Sequence, residues 1–454
     1  MEEDPLTDMI FVVGSKQVGT RIQREALLEQ FEQARSDDRA NFFSVRGYLN
    51  QTVAPDPVLE RFWSTRRRQI SDPPVIKSIN ASDEEKFLDD ARLAWRYIER
   101  HSDETTGICA GTVQTGLSSI VNFEVTFWDV ASQIHGIISA NALSIISDEE
   151  ARNRVERIFD HMPTNKVDGL SLPPARFQSN TSRVTSRGFD SDDTGRFLIS
   201  LRKVVDVGLA TKERALAVLD QWEIASTVRN QRAFSYTDGA WVDVTMSHGS
   251  HYSRNGYIAW GIPMDTAYPS LSETDTGDQY IRLLYQAAFL GHFGTEPHLL
   301  EGIEVGHSPE SKYLSDVLFD AQLSWFEETG QFKCVSEVAL NFSPWFSYQG
   351  LRVDRSGADA WVIWTDNQSY SYRTQEFLRK ADVISSKAAF LWAALYPHEY
   401  SSRLIELIRE KARIEDLGFS IGVFNNTQEA MEGYSDVNTN GIILTAIAKK
   451  LGKL

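Results

Sequence analysis

No apolar run in the sequence approaches the ~20 residues that a membrane span requires, so no transmembrane helix is expected. Cysteine is scarce: Cys109 and Cys334 are the only two among 454 residues. That excludes a disulfide-stapled scaffold. It leaves the compartment open, because two thiols can pair or both stay free. Positive charge is in deficit, with 46 Lys and Arg against 63 Asp and Glu and a formal net charge of −17. This balance argues against DNA or RNA as the main partner and weakly favours a neutral or cationic ligand. Phosphate-binding glycine loops, heptads, long internal repeats and low-complexity tracts are all missing, and no cofactor is expected. The start, Met1-Glu-Glu-Asp-Pro, is acidic, and the apolar run Met9 to Gly14 is too short for a leader. The chain is therefore expected to be cytoplasmic or a mature form whose leader has been removed.

What is present is an ordinary globular composition, 42% hydrophobic and 24% charged, with 11 Trp and 15 Tyr. Trp241, Tyr252, Tyr257, Trp260, Trp345, Tyr348, Trp361 and Trp364 fall outside obvious helical stripes. Some belong to the core, and the rest would form flat stacking platforms.

Residues 1–82 read as an N-terminal extension packing on a larger domain, residues 83–454. The extension holds one polar helix near 20–36 and the prolines Pro55, Pro57, Pro73 and Pro74. From 83 to 454 the pattern is helical. Residues 124–146 form the most informative stretch. Phe127, Val130, Ile134, Ile137, Ile138 and Ile145 recur at three- and four-residue steps. Thr126, Asp129, Gln133, Gly136 and Ala140 make a second, small and polar stripe, suited to the wall of a wet cavity. Asp129 falls in the first turn beside Trp128. A cap or helix-dipole role is its ordinary explanation.

Further helices are expected at 83–101, 148–160, 192–206 (capped by Ser191), 211–229, 277–290, 311–329, 385–396, 399–414 and 440–450. Residues 231–275 are looser, and 331–365 look mixed, with Ala360 to Thr365 β-prone. About eleven mostly long helices with few strands exclude a parallel sheet. They describe a mainly α fold, an (α/α)6 toroid of six hairpins with a few short strands.

Six segments stand out: Thr126-Phe-Trp-Asp-Val-Ala-Ser, Asp193-Thr-Gly-Arg-Phe-Leu, Ser253-Arg-Asn-Gly-Tyr-Ile-Ala-Trp-Gly, Glu296-Pro-His-Leu-Leu-Glu-Gly, Ser336-Glu337 with Pro344-Trp-Phe-Ser-Tyr, and Asn438-Thr-Asn-Gly-Ile-Ile-Leu. These segments resemble a bacterial family of unknown-function domains related to the six-hairpin glycosidases and similar to the glucoamylase-like and β-1,2-glucan-acting proteins. Together they span roughly residues 83–452, in family order. The resemblance implies an (α/α)6 barrel and a polysaccharide or oligosaccharide ligand. It also implies an envelope setting, periplasmic or extracellular, with a partner in an envelope polysaccharide system. One departure stands out: Asn425 occupies a position where an acidic residue is expected, with Glu429 and Glu432 close by as substitutes.

Glycoside hydrolysis uses two carboxyl groups, one protonated and one ionised. Asp129 and Asp193 each fall in a first helical turn, where the positive helix end favours the ionised form. Either would serve better as base than as acid. Arg196, three residues after Asp193, adds to that bias or forms a plain ion pair with it. Glu337 lies in a loop before the apolar Pro344-Trp-Phe, whose walls would raise its pKa. It is the candidate acid, with an ion pair to a nearby Lys or Arg as the plainer reading. Asp129 is the preferred base and Asp193 the second. Inversion is the default outcome by analogy with related barrels.

Arg254 and Tyr257 are candidates to hold sugar hydroxyls. Trp128, Trp345 and Tyr348 are candidates for stacking, Glu432 is a spare carboxylate, Asn438 a cap for the last helix, and Asn440 a cavity residue. For each of these a core or capping role is the alternative. Asp190-Ser-Asp-Asp193 matches a terpene-cyclase string, but so short a match arises by chance. His248-Gly-Ser-His251 has metal-like spacing in a Gly/Ser loop without a third ligand, so no metal is expected. A non-catalytic glycan-binding role remains open beside hydrolysis or transglycosylation. So does a polysaccharide lyase using His251, Arg254 and Tyr257.

Overall fold

The computed structural model describes residues 81–115, 119–245, 247–266, 294–343, 345–352, 360–365 and 380–454. The extension expected over 1–82 lies, but for its last two residues, outside the described residues. So does the helix expected at 277–290. Eleven α-helices are found among the described residues. They are α1 (Ala81–His101), α2 (Phe127–Ala142), α3 (Asp148–Asp160), α4 (Ser191–Asp206), α5 (Lys212–Leu219), α6 (His248–Ala259), α7 (Glu296–Leu300), α8 (Pro309–Thr329), α9 (Ser386–Leu395), α10 (Glu399–Lys411) and α11 (Val437–Lys450). A single π turn, Glu301–Val305, continues α7.

Polar caps start most of these helices. Thr126, Ser147, Thr211, Ser247, Ser308 and Ser385 each accept a hydrogen bond from a backbone N–H of the turn they open. The cap of α4 is Asp190 rather than Ser191. A carboxylate there serves two N–H groups, those of Asp192 and Asp193.

Six helices pack side by side and close a ring, in the order α2, α4, α6, α7, α9, α11 and back to α2. α1, α3, α5, α8 and α10 lie against that ring from outside. The division follows composition. In α9 and α11 nearly every residue is buried. In α1 and α10 a single apolar face is, with Phe87, Ala91, Ala94, Trp95 and Ile98 of α1 inward. This is the expected toroid, and the strands are short and confined to its loops. Three of them lead directly into inner helices: Glu124–Val125 into α2, Val383–Ser385 into α9, and Tyr434–Asp436 into α11. No described helix is long and apolar enough to cross a membrane. Both cysteines are buried and free.

Some expectations need correction. The helix expected over 211–229 ends at Leu219 and gives way to a 3-10 turn, Ile224–Thr227. The section 231–275 contains an antiparallel hairpin, Arg232–Thr237 with Ala240–Asp243, and then α6. His248 and His251 thus open a helix instead of sitting in a loop. Beyond Asp129 the small stripe of α2 packs against neighbouring segments instead of lining a wet cavity. Gln133 braces the 107–109 loop, accepting from Cys109 N at 2.9 Å and donating to Gly107 O at 2.8 Å. Gly136 is buried between α1 and α11, where a Cβ would lie 2.7 Å from Ile98 and 3.3 Å from the Cα of Gly441. Small residues there let two helices approach.

The approach of α11 to α2 yields a prediction. A Cβ on Gly441 would lie 2.2 Å from the Ser132 carbonyl oxygen, a backbone atom that cannot turn aside. Gly441→Ala should destabilise the protein by about 1–3 kcal/mol through overpacking, seen as a lower urea midpoint with an unchanged slope. Gly208→Ala, which has open space around its Cβ site but a φ of +73°, should lose only its smaller backbone strain.

Candidate active site at the mouth of the inner ring

The inner helices bring their first turns to one place. Asp129 lies on α2, Asp193 on α4, Glu296 on α7, Lys387 on α9 and Asn438 on α11, each within the first three residues of its helix. Glu337 comes from the loop just before the strand Val338–Ala339.

Beneath this mouth lies a buried ionic network. Arg196 and Glu304, both fully buried, pair at 2.9 Å. Arg196 also donates to the Ser132 hydroxyl at 2.7 Å and to Asn438 Oδ1 at 3.2 Å. Its guanidinium lies 4.6 Å from the ring centre of Trp128. Glu304 further accepts from the Tyr252 hydroxyl and stands 3.2 Å from His135 Nε2. Burial alone would raise Glu304, but Arg196 holds its carboxyl below the ordinary value, helped by the hydrogen bond from Tyr252. Burial pushes His135 down to about 4, so it is neutral.

Above it Glu296 gathers four donors. They are Trp128 Nε1 at 3.1 Å, Ser336 Oγ at 2.5 Å, Lys387 Nζ at 2.6 Å and Asn438 Nδ2 at 3.4 Å. Lys387 and Asn438 also reach Glu337 Oε1, at 3.3 and 2.9 Å. Burial would raise Glu296, yet Lys387 and Arg196 hold it below its usual value. Burial disfavours the charge of Lys387, but Glu296, Glu337 and Asp436 outweigh it and hold the ammonium above its ordinary pKa.

Three half-buried carboxyls remain at the mouth. Asp129 closes a capping box, its Oδ2 accepting from Thr126 N at 2.9 Å. Burial, and then the charge of Asp436, still push it up to about 6. Glu337 is pushed up to about 7 by burial and by Glu296, against Lys387. Asp193 is raised well above the carboxylate range by burial and by Asp190, Asp129, Glu337 and Asp192. Each of the three is thus close enough to feel another. The expectation that helix ends would keep Asp129 and Asp193 low is reversed, because desolvation and like charges outweigh the helix-end field. Arg196 does not pair with Asp193; it turns to Glu304.

The other candidates scatter. Trp128 belongs to the network, with one face covered by Arg196 and its N–H engaged. Asn438 bridges the network and does not cap α11, a role taken by Asp436. Asn440 is fully buried, binding Phe419 N, Ser435 Oγ and Asp436 O, and does not face the mouth. Tyr257 is also buried, its hydroxyl on Ser191. His251 is tied to Thr266 and Ser308 and lies 3.5 Å from Glu301. Arg254 is half-buried and lies near Glu301. Glu429 and Glu432 are exposed. Asn425 donates to Phe332 O and Asp382 Oδ2 at 3.1 Å each, bracing a loop. Trp345 is 57% exposed, in the turn after Leu340, with a φ of +70°. Tyr348 pairs with Trp364 across the strands Phe346–Arg352 and Ala360–Thr365, and its side chain lies outside the described residues.

Lys387, Glu304, His135 and Ser132 were not among the candidates, and Tyr252 was singled out only as an aromatic for the core or for stacking. Lys387 had a readable signal: a lone cation opening the apolar run of a doubly covered helix. Glu304 had none, since its place depends on the π turn.

These features define an (α/α)6 barrel whose inner-helix N-termini present a cluster of carboxyls at one mouth. The chain belongs to the family described as Protein of unknown function (DUF3131), whose model matches residues 89–452. Among solved structures it is similar to a candidate glucoamylase from Bacteroides caccae ATCC 43185, at 13% identity over 82% of this chain and 94% of that one, with a TM-score of 0.55. A candidate glucoamylase from Bacteroides fragilis NCTC 9343 gives 13%, 84%, 94% and 0.55. An endo-β-1,2-glucanase from Chitinophaga pinensis, in complex with sophorotriose and glucose, gives 12%, 83%, 94% and 0.55. At these identities the likeness is one of fold. No match is found among curated proteins.

The network predicts its own cost of disruption. Glu304→Gln leaves the Arg196 charge buried and unpaired, and should destabilise by about 3–5 kcal/mol in chemical denaturation. Because the fold holds Glu304 low, its contribution is complete above the ordinary carboxylate pKa and fades as pH falls through the lowered value. The variant should lack that acid-side decline.

Proposed function

We propose that the protein is a glycoside hydrolase, or a transglycosylase, acting on a bacterial β-glucan or exopolysaccharide by carboxyl acid/base catalysis. The observation that carries this reading is the trio Asp129, Glu337 and Asp193, half-buried at one mouth, with the first two titrating close to neutrality. Glu337 is the acid. Both donors near it, Lys387 and Asn438, point to Oε1, and Oε2 has no partner among the described residues. A proton on Oε2 passes to the glycosidic oxygen as the bond to the anomeric carbon breaks. Asp129 is the base. Its Oδ1 has no partner among the described residues, while Thr126 fixes Oδ2. It takes a proton from the water, or the acceptor hydroxyl, whose oxygen bonds the anomeric carbon, with inversion. Asp193, raised furthest, acts as a protonated hydrogen-bond donor to a sugar hydroxyl rather than as a second base. Trp345, exposed on the turn that comes after Glu337, is the stacking platform.

Hydrolysis is preferred to the lyase reading because Tyr257 is fully buried with its hydroxyl on Ser191, away from a substrate. An envelope location, periplasmic or extracellular, with a partner in a polysaccharide system suits such a substrate.

The test is reducing-sugar release from β-1,2-, β-1,3- and β-1,4-glucans and from acidic and amino-sugar exopolysaccharides. Glu337→Gln and Asp129→Asn should each cut turnover by about 10²–10⁴-fold in folded protein. Full turnover in both would refute the assignment, and binding without release by wild type would favour a glycan-binding role. The pH profile has a definite sign. kcat/KM should rise with pH through about 6 as Asp129 ionises, and fall through about 7 as Glu337 loses its proton.

A further inference from the structure

Glu296 and Glu337 compete for the same two donors, and the geometry divides those donors unequally. Lys387 Nζ is 2.6 Å from Glu296 and 3.3 Å from Glu337. Glu296 has two donors that Glu337 lacks, Trp128 Nε1 and Ser336 Oγ. It is 1% exposed, while the Glu337 side chain is 21% exposed. A shared proton settles on the carboxyl with fewer donors, because each donor stabilises the ionised form. We propose that Glu296 is a positioning residue for Glu337: it takes the lysine into its own hydrogen-bond set, so that the proton of the pair resides on Oε2 of Glu337, the oxygen that has no donor among the described residues.

The other charged groups around the pair fit this division. Arg196 on α4 acts on both carboxyls, and Asp436 ahead of α11 acts on Glu296 and Lys387. Asp129 on α2 faces Glu337, and its charge further disfavours the ionised form of Glu337, while Glu337 in turn raises Asp193 on α4. The role adds to the reading of Glu337 as the acid and rests on it, but the placement of the proton can be read without any substrate.

The experiment tracks the carboxyl band of Glu337 by infrared difference titration of the full chain, assigned with Glu337→Gln. In Glu296→Gln the anion is gone, Lys387 turns wholly to Glu337, and the midpoint of Glu337 should fall by about one unit or more. Ser336→Ala removes a single donor from Glu296 and should shift the midpoint the same way by less. This second variant keeps the test decisive should Glu296→Gln fail to fold. On an active glycan, the alkaline limb of kcat/KM should move to lower pH in step, with activity on its acidic side retained. An unmoved midpoint in folded variants overturns the proposal. So does loss of turnover at every pH, which would make Glu296 a group that touches the reacting atoms. A shifted midpoint in a protein that releases no sugar upholds the pairing and removes only the hydrolase reading.

Discussion

A guanidinium cannot be buried without partners, and the demand of Arg196 organises the centre of the barrel. Its side chain reaches the π turn through Glu304, α2 through Ser132 and the Trp128 ring, and α11 through Asn438. Glu304 brings in α6 through Tyr252. Inner elements of the ring are thus joined at one depth by a few directional bonds, in addition to their apolar contacts. Apolar packing alone tolerates small slips between helices; this network does not, because a slip would strand a buried charge. The first turns of α2, α4, α7 and α11 inherit that precision.

The protonation of the mouth follows from the same economy of donors. Glu304 and Glu296 are surrounded by cations and N–H or O–H groups and stay ionised. Asp129, Asp193 and Glu337 sit above them with fewer donors and with each other as neighbours, so their protons are held more tightly. Two tiers of carboxyls result, an ionised floor and a protonatable rim. The rim is where a reacting sugar would meet groups able both to give and to take a proton near neutral pH.

Much of the architecture could be read from residue patterns, because it rests on local rules. The stripes of α1 and α2, the Ser and Thr caps and the apolar α9 each follow from spacing within one segment. The rim carboxyls were legible for a related reason: Asp129 and Asp193 stand at helix starts, and Glu337 at the edge of an apolar loop. Their pKa directions were not legible in the two aspartates, since those depend on charges contributed by distant segments. Lys387 and Glu304 escaped for the same cause. A buried ion pair joins residues 108 positions apart in one case and 91 in the other, and nothing local marks the partner. Asn440 was misplaced because periodicity cannot tell a helix face turned to the mouth from one turned to the loop behind it.

The disposition of charge also bears on the kind of sugar the mouth can accept. Lys387 and Arg196, the cations of the buried network, are 3% and 0% exposed at the side chain and already paired with Glu296 and Glu304. Neither can turn to a ligand without leaving a buried carboxylate alone. A uronate or phosphorylated glycan would bring negative charge against Asp129, Asp193 and Glu337 and would find those two cations already committed. On the proposed reading a neutral glucan would meet no such penalty. The chain's charge of −17 acts in the same direction at longer range, so the local and the global field agree.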